Sequence, residues 1–88
     1  MTVKVTYVWG NGCSVCNITR PAFNNLSNLH PEWEYETREA SAILKQLLSM
    51  GVDKLPVFIV EKDDQIVGHF EGSYRLHEIS SKIEGIIK

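Results

Sequence analysis

The chain has 88 residues, enough for one compact domain and too few for a second. Hydrophobic residues at 43% and charged residues at 23% sit near the globular average, which argues against disordered and membrane-spanning classes. A formal net charge of -2 offers no basic face for collecting phosphates, so nucleic acid is not an expected partner.

The amino terminus, MTVKVTYV, alternates polar and apolar residues where a signal peptide would set an apolar stretch behind a basic start. No run approaches the roughly 18 apolar residues of a membrane span, so no membrane partner is expected and the expected compartment is a reducing cytoplasm. Residues 2 to 8 place Val3, Val5 and Tyr7 on one side and Lys4, Thr6 and Val8 on the other, the period of a strand. Trp9, Gly10, Asn11 and Gly12 end it, and Cys13 and Cys16, the only cysteines, follow at once.

From Val15 the apolar positions Ile18, Ala22, Phe23, Leu26 and Leu29 advance in steps of three and four, which predicts a helix closed by His30 and Pro31. Pro21 leaves its start open between two arrangements. One is a helix from the cysteines, kinked at Pro21; the other begins near Pro21 and leaves the cysteines in a loop. Trp33 to Thr37 alternates apolar and acidic residues as a second strand. Residues 40 to 50, with Ile43, Leu44, Leu47 and Leu48, predict a second helix ending at Gly51.

Val57 to Val60 is a continuous apolar run, the pattern of a central strand buried on both faces. Lys62, Asp63 and Asp64 turn the chain into a further strand with Ile66, Val67 and Phe70, in which Gly68 suggests a close approach. A last helix follows, with Ser73 as its N-cap and Leu76, Ile79, Ile83, Ile86 and Ile87 as its apolar face. The fold class is therefore α/β. The order β-α-β-α-β-β-α gives a four-stranded mixed sheet flanked by three helices, the first two strands parallel and the last two a hairpin. There is no internal repeat or linker.

The cysteine pair carries the chemistry. In a reducing compartment a permanent structural disulfide is unusual, and one closing so short a loop constrains little unfolded-chain entropy. A thiolate, not a thiol, attacks disulfides; a helix beginning at Cys13 would aim its unpaired first-turn amides and its dipole at that sulfur. Cys16, one turn further in, would be more enclosed and able to resolve a mixed disulfide formed on Cys13. The competing reading is a metal pair. Zinc sites usually need four ligands, and the chain adds only His30, His69 and His77, with no second close pair. An iron-sulfur cluster meets the same shortage unless two chains share it. No cofactor or metal is expected.

At these residues the chain resembles the thioredoxin-like superfamily over nearly its full length. Trp9 stands four residues before Cys13, and Pro21 five after Cys16, where the family carries a tryptophan beside the site and a helix-kinking proline. LPVFIV from Leu55 is similar to the segment in which a cis proline opens the central strand, and Gly72 to the glycine after the hairpin. The resemblance implies that Pro56 lies against Cys13 and that Leu55 pairs through its backbone with a substrate peptide by strand addition. It also implies the helix start at the cysteines. The compact length resembles the small glutaredoxin-like thioredoxins of phages and prokaryotes.

The departures are specific. Gly12 occupies the place of the tryptophan directly before the first cysteine, and Ser14 and Val15 fill the family's glycine-proline pair. The buried acid of thioredoxins falls near Tyr7, which reads as a core aromatic. Lys54, Leu55, Pro56 and then Gly72, Ser73 stand where glutaredoxins grip glutathione with other residues.

The expected function is thiol-disulfide oxidoreduction: Cys13 attacks, Cys16 resolves, and Trp9, Gly12, Ser14, Val15, Leu55, Pro56 and Gly72 meet the substrate. Disulfide-containing proteins and a partner reductase are the expected partners of a monomer. The alternatives are a redox-responsive binding module and a glutathione-linked glutaredoxin.

Overall fold

The computed structural model describes residues 1–88 and arranges β1 (Val3–Trp9), β2 (Glu34–Glu39), β3 (Val57–Lys62) and β4 (Gln65–Glu71) in one sheet of order β2-β1-β3-β4. β1 and β2 are parallel, with Val5 beside Tyr35; β1 and β3 are antiparallel, with Val5 beside Val60; β3 and β4 form the hairpin. The expected α/β class and mixed four-stranded sheet are as observed.

The period of two in β1 sorts its side chains. Val3, Val5 and Tyr7 join Phe58 and Val60 of β3 in a core closed by Phe23 and Leu26 of α1 (Ser14–Leu29) and by Ile79 and Ile83 of α3 (Leu76–Ile87). Aromatic rings dominate this layer: Tyr7 stacks on Phe23 at 5.0 Å, and Phe58 meets Tyr7 edge-on. On the opposite face Val8, Val57 and Ile59 pack under Leu47 alone of α2 (Leu44–Ser49). Both central strands are thus covered on two sides, which accounts for the unbroken apolar run of β3. No helix is long and apolar enough to cross a membrane.

Several boundaries differ from expectation. The second strand begins at Glu34, because Trp33 turns into the core and its ring lies flat against His30, centroids 3.7 Å apart. The helix expected over residues 40 to 50 is a 3₁₀ turn, Ala40–Ile43, followed by the short α2. Leu44 and Leu48, expected on its apolar face, are 55% and 65% exposed. The sheet presents only the narrow Val8–Val57–Ile59 strip there, enough to bury Leu47. Gly51, at φ 75°, ends α2 as expected, and the amides of Gly51 and Val52 return to the carbonyls of Leu48 and Leu47.

Ser73 is not the N-cap of the last helix. Arg75 holds that position, its amide donating to Glu78 Oε1 at 2.9 Å, while the Ser73 hydroxyl is engaged elsewhere. The close approach at Gly68 is made by Ile86 of α3: a Cβ at Gly68 would stand 2.8 Å from Ile86 Cγ2.

Candidate active site

The chain leaves the sheet at the carboxyl end of β1, and Gly12, at φ 77°, turns it into α1. The two open arrangements resolve in favour of a helix start at the cysteines. Cys13 is the N-cap residue, extended at φ -84° and ψ 100°, and its Sγ accepts the Cys16 amide at 3.1 Å. Pro21 lies inside the helix. It has no amide to offer the Asn17 carbonyl. The carbonyl just before, that of Cys16, accepts the Tyr7 hydroxyl at 2.5 Å.

Cys13 and Cys16 are joined as a disulfide, with Cα atoms 5.3 Å apart. Their surroundings differ sharply. Cys13 is half-buried at the surface, and Cys16 is wholly enclosed at 0% exposure. Ser14 and Val15, between them, are exposed.

The expected apolar stripe of α1 is shifted. Ile18 is 74% exposed, and the buried positions are Cys16, Thr19, Phe23 and Leu26. A threonine can occupy that stripe because its hydroxyl is satisfied twice, by the Val15 carbonyl and by Ser73 Oγ, each at 2.8 Å. The second bond ties α1 to the loop after β4.

That loop reaches the proline segment. The Leu55–Pro56 peptide is cis, Pro56 is buried, and its carbonyl accepts the amide of Gly72 at 2.9 Å. Gly72 has φ 103°, a conformation for which a side chain is poorly suited. The Leu55 side chain lies over Gly10: a Cβ added there would stand 2.6 Å from Leu55 Cδ1 and 3.9 Å from Cys13 Cβ. Leu55 also walls an open apolar groove of about 170 Å³ with Ala40, Leu44, Leu47, Leu48 and Val52. The structure therefore links Cys13 to Gly10 and Leu55, and Pro56 to Gly72. Trp9 is half-buried one step back, against the core.

Two further side chains bear on the site, and only the second was missed in the sequence. The first is Tyr7, read there as a core aromatic near the place of the family's buried acid. It is fully buried, as a core aromatic should be, yet its hydroxyl also fastens β1 to the Cys16 carbonyl. Burial raises its pKa, opposed by the charge of Arg20, so a neutral phenol stands where an acid was sought. The second is Arg20, whose guanidinium lies 5.4 Å from the centroid of the Trp9 ring and 5.6 Å from that of Tyr7. Its place four residues after Cys16 was the available signal.

The histidines are dispersed. His30 bonds Glu32 through Nδ1 and Ser80 through Nε2, with Glu84 also within 3.1 Å; His69 and His77 are exposed on β4 and α3. A polar cavity of about 190 Å³ on the α2 side of the sheet is lined by Lys4, Thr6, Glu36, Arg38 and Glu61 among others, away from the cysteines.

No family model matches the chain. A disulfide bond formation protein of Brevibacillus choshinensis is 25% identical over 71 residues, covering 78% of this chain and 60% of that protein, so the chain spans less than two thirds of its relative. Among solved structures, desulfothioredoxin from Desulfovibrio vulgaris Hildenborough superposes with a TM-score of 0.85 at 13% identity, covering 97% of this chain and 82% of its own. Fasciola hepatica thioredoxin gives 0.80 at 20% identity, covering 96% and 80%. Mitochondrial thioredoxin 3 from Saccharomyces cerevisiae, in its oxidised form, gives 0.81 at 18%, covering 94% and 77%. At such identities the likeness is one of architecture, and the architecture of this chain is the thioredoxin-like fold.

Proposed function

We propose that the protein is a thiol-disulfide oxidoreductase that reduces protein disulfides through Cys13 and Cys16. The observation that carries the reading is the asymmetry of the pair: a half-exposed Cys13 at a helix N-cap, its sulfur already accepting an amide, and a Cys16 with no exposed surface. Reduced, the Cys13 thiolate gains from the helix dipole and from that amide, while Cys16 stays inaccessible to anything but its neighbour.

The Cys13 thiolate attacks one sulfur of the substrate disulfide, forming a mixed disulfide and expelling the other as a thiolate. Cys16 then gives up its proton and attacks Cys13 Sγ, releasing the second substrate sulfur. Two electrons and one proton pass to the substrate, and Cys13–Cys16 becomes the disulfide. A partner reductase returns both. Leu55, Pro56 and Gly72 on one side, and Trp9, Gly12, Ser14 and Val15 on the other, receive the substrate chain, with the Leu55 backbone free for strand addition. The proposed setting is a reducing compartment, the cytoplasm, with the protein acting as a monomer.

Insulin reduction driven by dithiothreitol tests the reading. Cys13→Ser abolishes turnover, and Cys16→Ser accumulates mixed disulfides with substrate. Turnover that persists without Cys13 overturns it.

A further inference from the structure

Beside the neutral phenol of Tyr7 lies a cation, the guanidinium of Arg20. Arg20 and Cys16 are four residues apart on α1, hence on one face, and a helical side chain leans back toward the N-terminus, here toward the cysteine turn. The guanidinium rests over two rings of β1, Trp9 and Tyr7, and the Tyr7 hydroxyl is bonded to the Cys16 carbonyl. Tyr7 contributes no opposing charge: burial favours its neutral form, and Arg20 is the one charge acting on it.

We propose that Arg20 is an electrostatic positioning residue for the dithiol, stabilising the reduced, thiolate-bearing state over the disulfide and so making the couple more oxidising than the fold alone would. The inference rests on the proposed redox role of Cys13 and Cys16. The balance is that of a two-electron couple: disulfide plus two electrons and one proton gives the Cys13 thiolate and the Cys16 thiol, with a thiol-disulfide buffer as the other half-reaction. The disulfide is neutral and the reduced pair carries one negative charge, so a fixed cation favours the reduced side alone. A couple whose reduced form is favoured is a stronger oxidant.

The test equilibrates the full chain and three variants, Arg20→Lys, Arg20→Met and Arg20→Glu, with reduced and oxidised glutathione at fixed pH, and reads the reduced fraction by thiol alkylation. Arg20→Met is expected to shift the equilibrium constant about threefold to tenfold toward the disulfide, about 15 to 30 mV for two electrons. Arg20→Glu shifts it further, and Arg20→Lys restores it to within about twofold. Thiolate absorbance at 240 nm should show ionisation moved to higher pH in the same order, a readout that loss of packing would not rank by charge. Circular dichroism selects the variants that fold, and the Lys and Glu forms carry the comparison if Met does not. A normal wild-type transition shared unchanged by the Met and Glu variants overturns the role of Arg20 and leaves the dithiol intact. A wild-type chain without any two-electron transition overturns the dithiol reading as well.

Discussion

The hydroxyl of Tyr7 donates to the main-chain carbonyl of Cys16, across the layer between β1 and α1. It binds the buried end of the cysteine turn to the centre of the sheet, where Tyr7 has no exposed surface. Tyr7→Phe keeps the ring stacking on Phe23 and removes only this bond. The expected cost is about 0.5–1.5 kcal/mol, read as a lower denaturant midpoint at unchanged slope. A loss near zero would mean that water or the helix satisfies the carbonyl instead.

Gly68 and Ile86 are fitted to each other. A Cβ at Gly68 would meet Cγ2 of Ile86 at 2.8 Å, and that methyl sits at the branch of the side chain and not at its free end, so relief requires a new rotamer or a displaced helix end. Gly68→Ala should therefore destabilise by about 1–3 kcal/mol. Pairing it with Ile86→Ala should recover part of that loss, and additive effects in a double-mutant cycle would show that the two do not meet.

The alkaline limb of stability should report Tyr35. Burial, with Glu32 adding a smaller push, raises its pKa to about 12 from 10.0, and its hydroxyl donates to the His30 carbonyl at 2.6 Å. A pKa raised by folding gives stability that is whole below pH 10 and is lost as pH climbs from 10 toward 12. Tyrosinate absorbance should show one ring ionising near 12, and Tyr35→Phe should remove that step and flatten the decline.

The acid limb has a smaller contributor in Glu36. The hydrogen bond from Lys4, at 2.8 Å, lowers the Glu36 pKa below 4.5. A pKa lowered by folding gives stability that is present above 4.5 and disappears as pH falls through the folded value. The partners are 34% and 30% exposed, so solvent screening limits the pair to about 0.2–1 kcal/mol. Lys4→Met should lower the unfolding midpoint at pH 7 by that little, and the difference should shrink at pH 3 and in high salt.

Periodicity made the sheet and its central strands legible, because alternation in β1 and the unbroken run of β3 each permit one placement. The start of α1 was ambiguous because Pro21 is as compatible with a first turn as with an interior kink; only the resemblance favoured the cysteines. The pattern of Ile43, Leu44, Leu47 and Leu48 overstated the second helix, since spacing counts candidates and says nothing of how wide a strip the sheet can offer them. Ser73 had the right chemistry for a cap but was already paired with Thr19 from a distant helix. Arg20 was hidden for a similar reason: its spacing from Cys16 was visible, but a charged helix residue looks like surface until β1 places two aromatic rings beneath it.

The unequal covering of the sheet means that its two sides come apart at different costs. Ala40–Ser49 meets the strands through one buried side chain, Leu47, with Ala40 and Ile43 partly buried beside it, whereas α1 and α3 share the aromatic layer on the other face. Subglobal opening will therefore begin on the α2 side, with β1 and β3 still paired and their amides still protected from exchange. Leu55 belongs to that looser side and also stands over Gly10 beside Cys13. Breathing of the least stable segment thus changes the width of the space next to the Cys13 sulfur, leaving the helix that carries it in place.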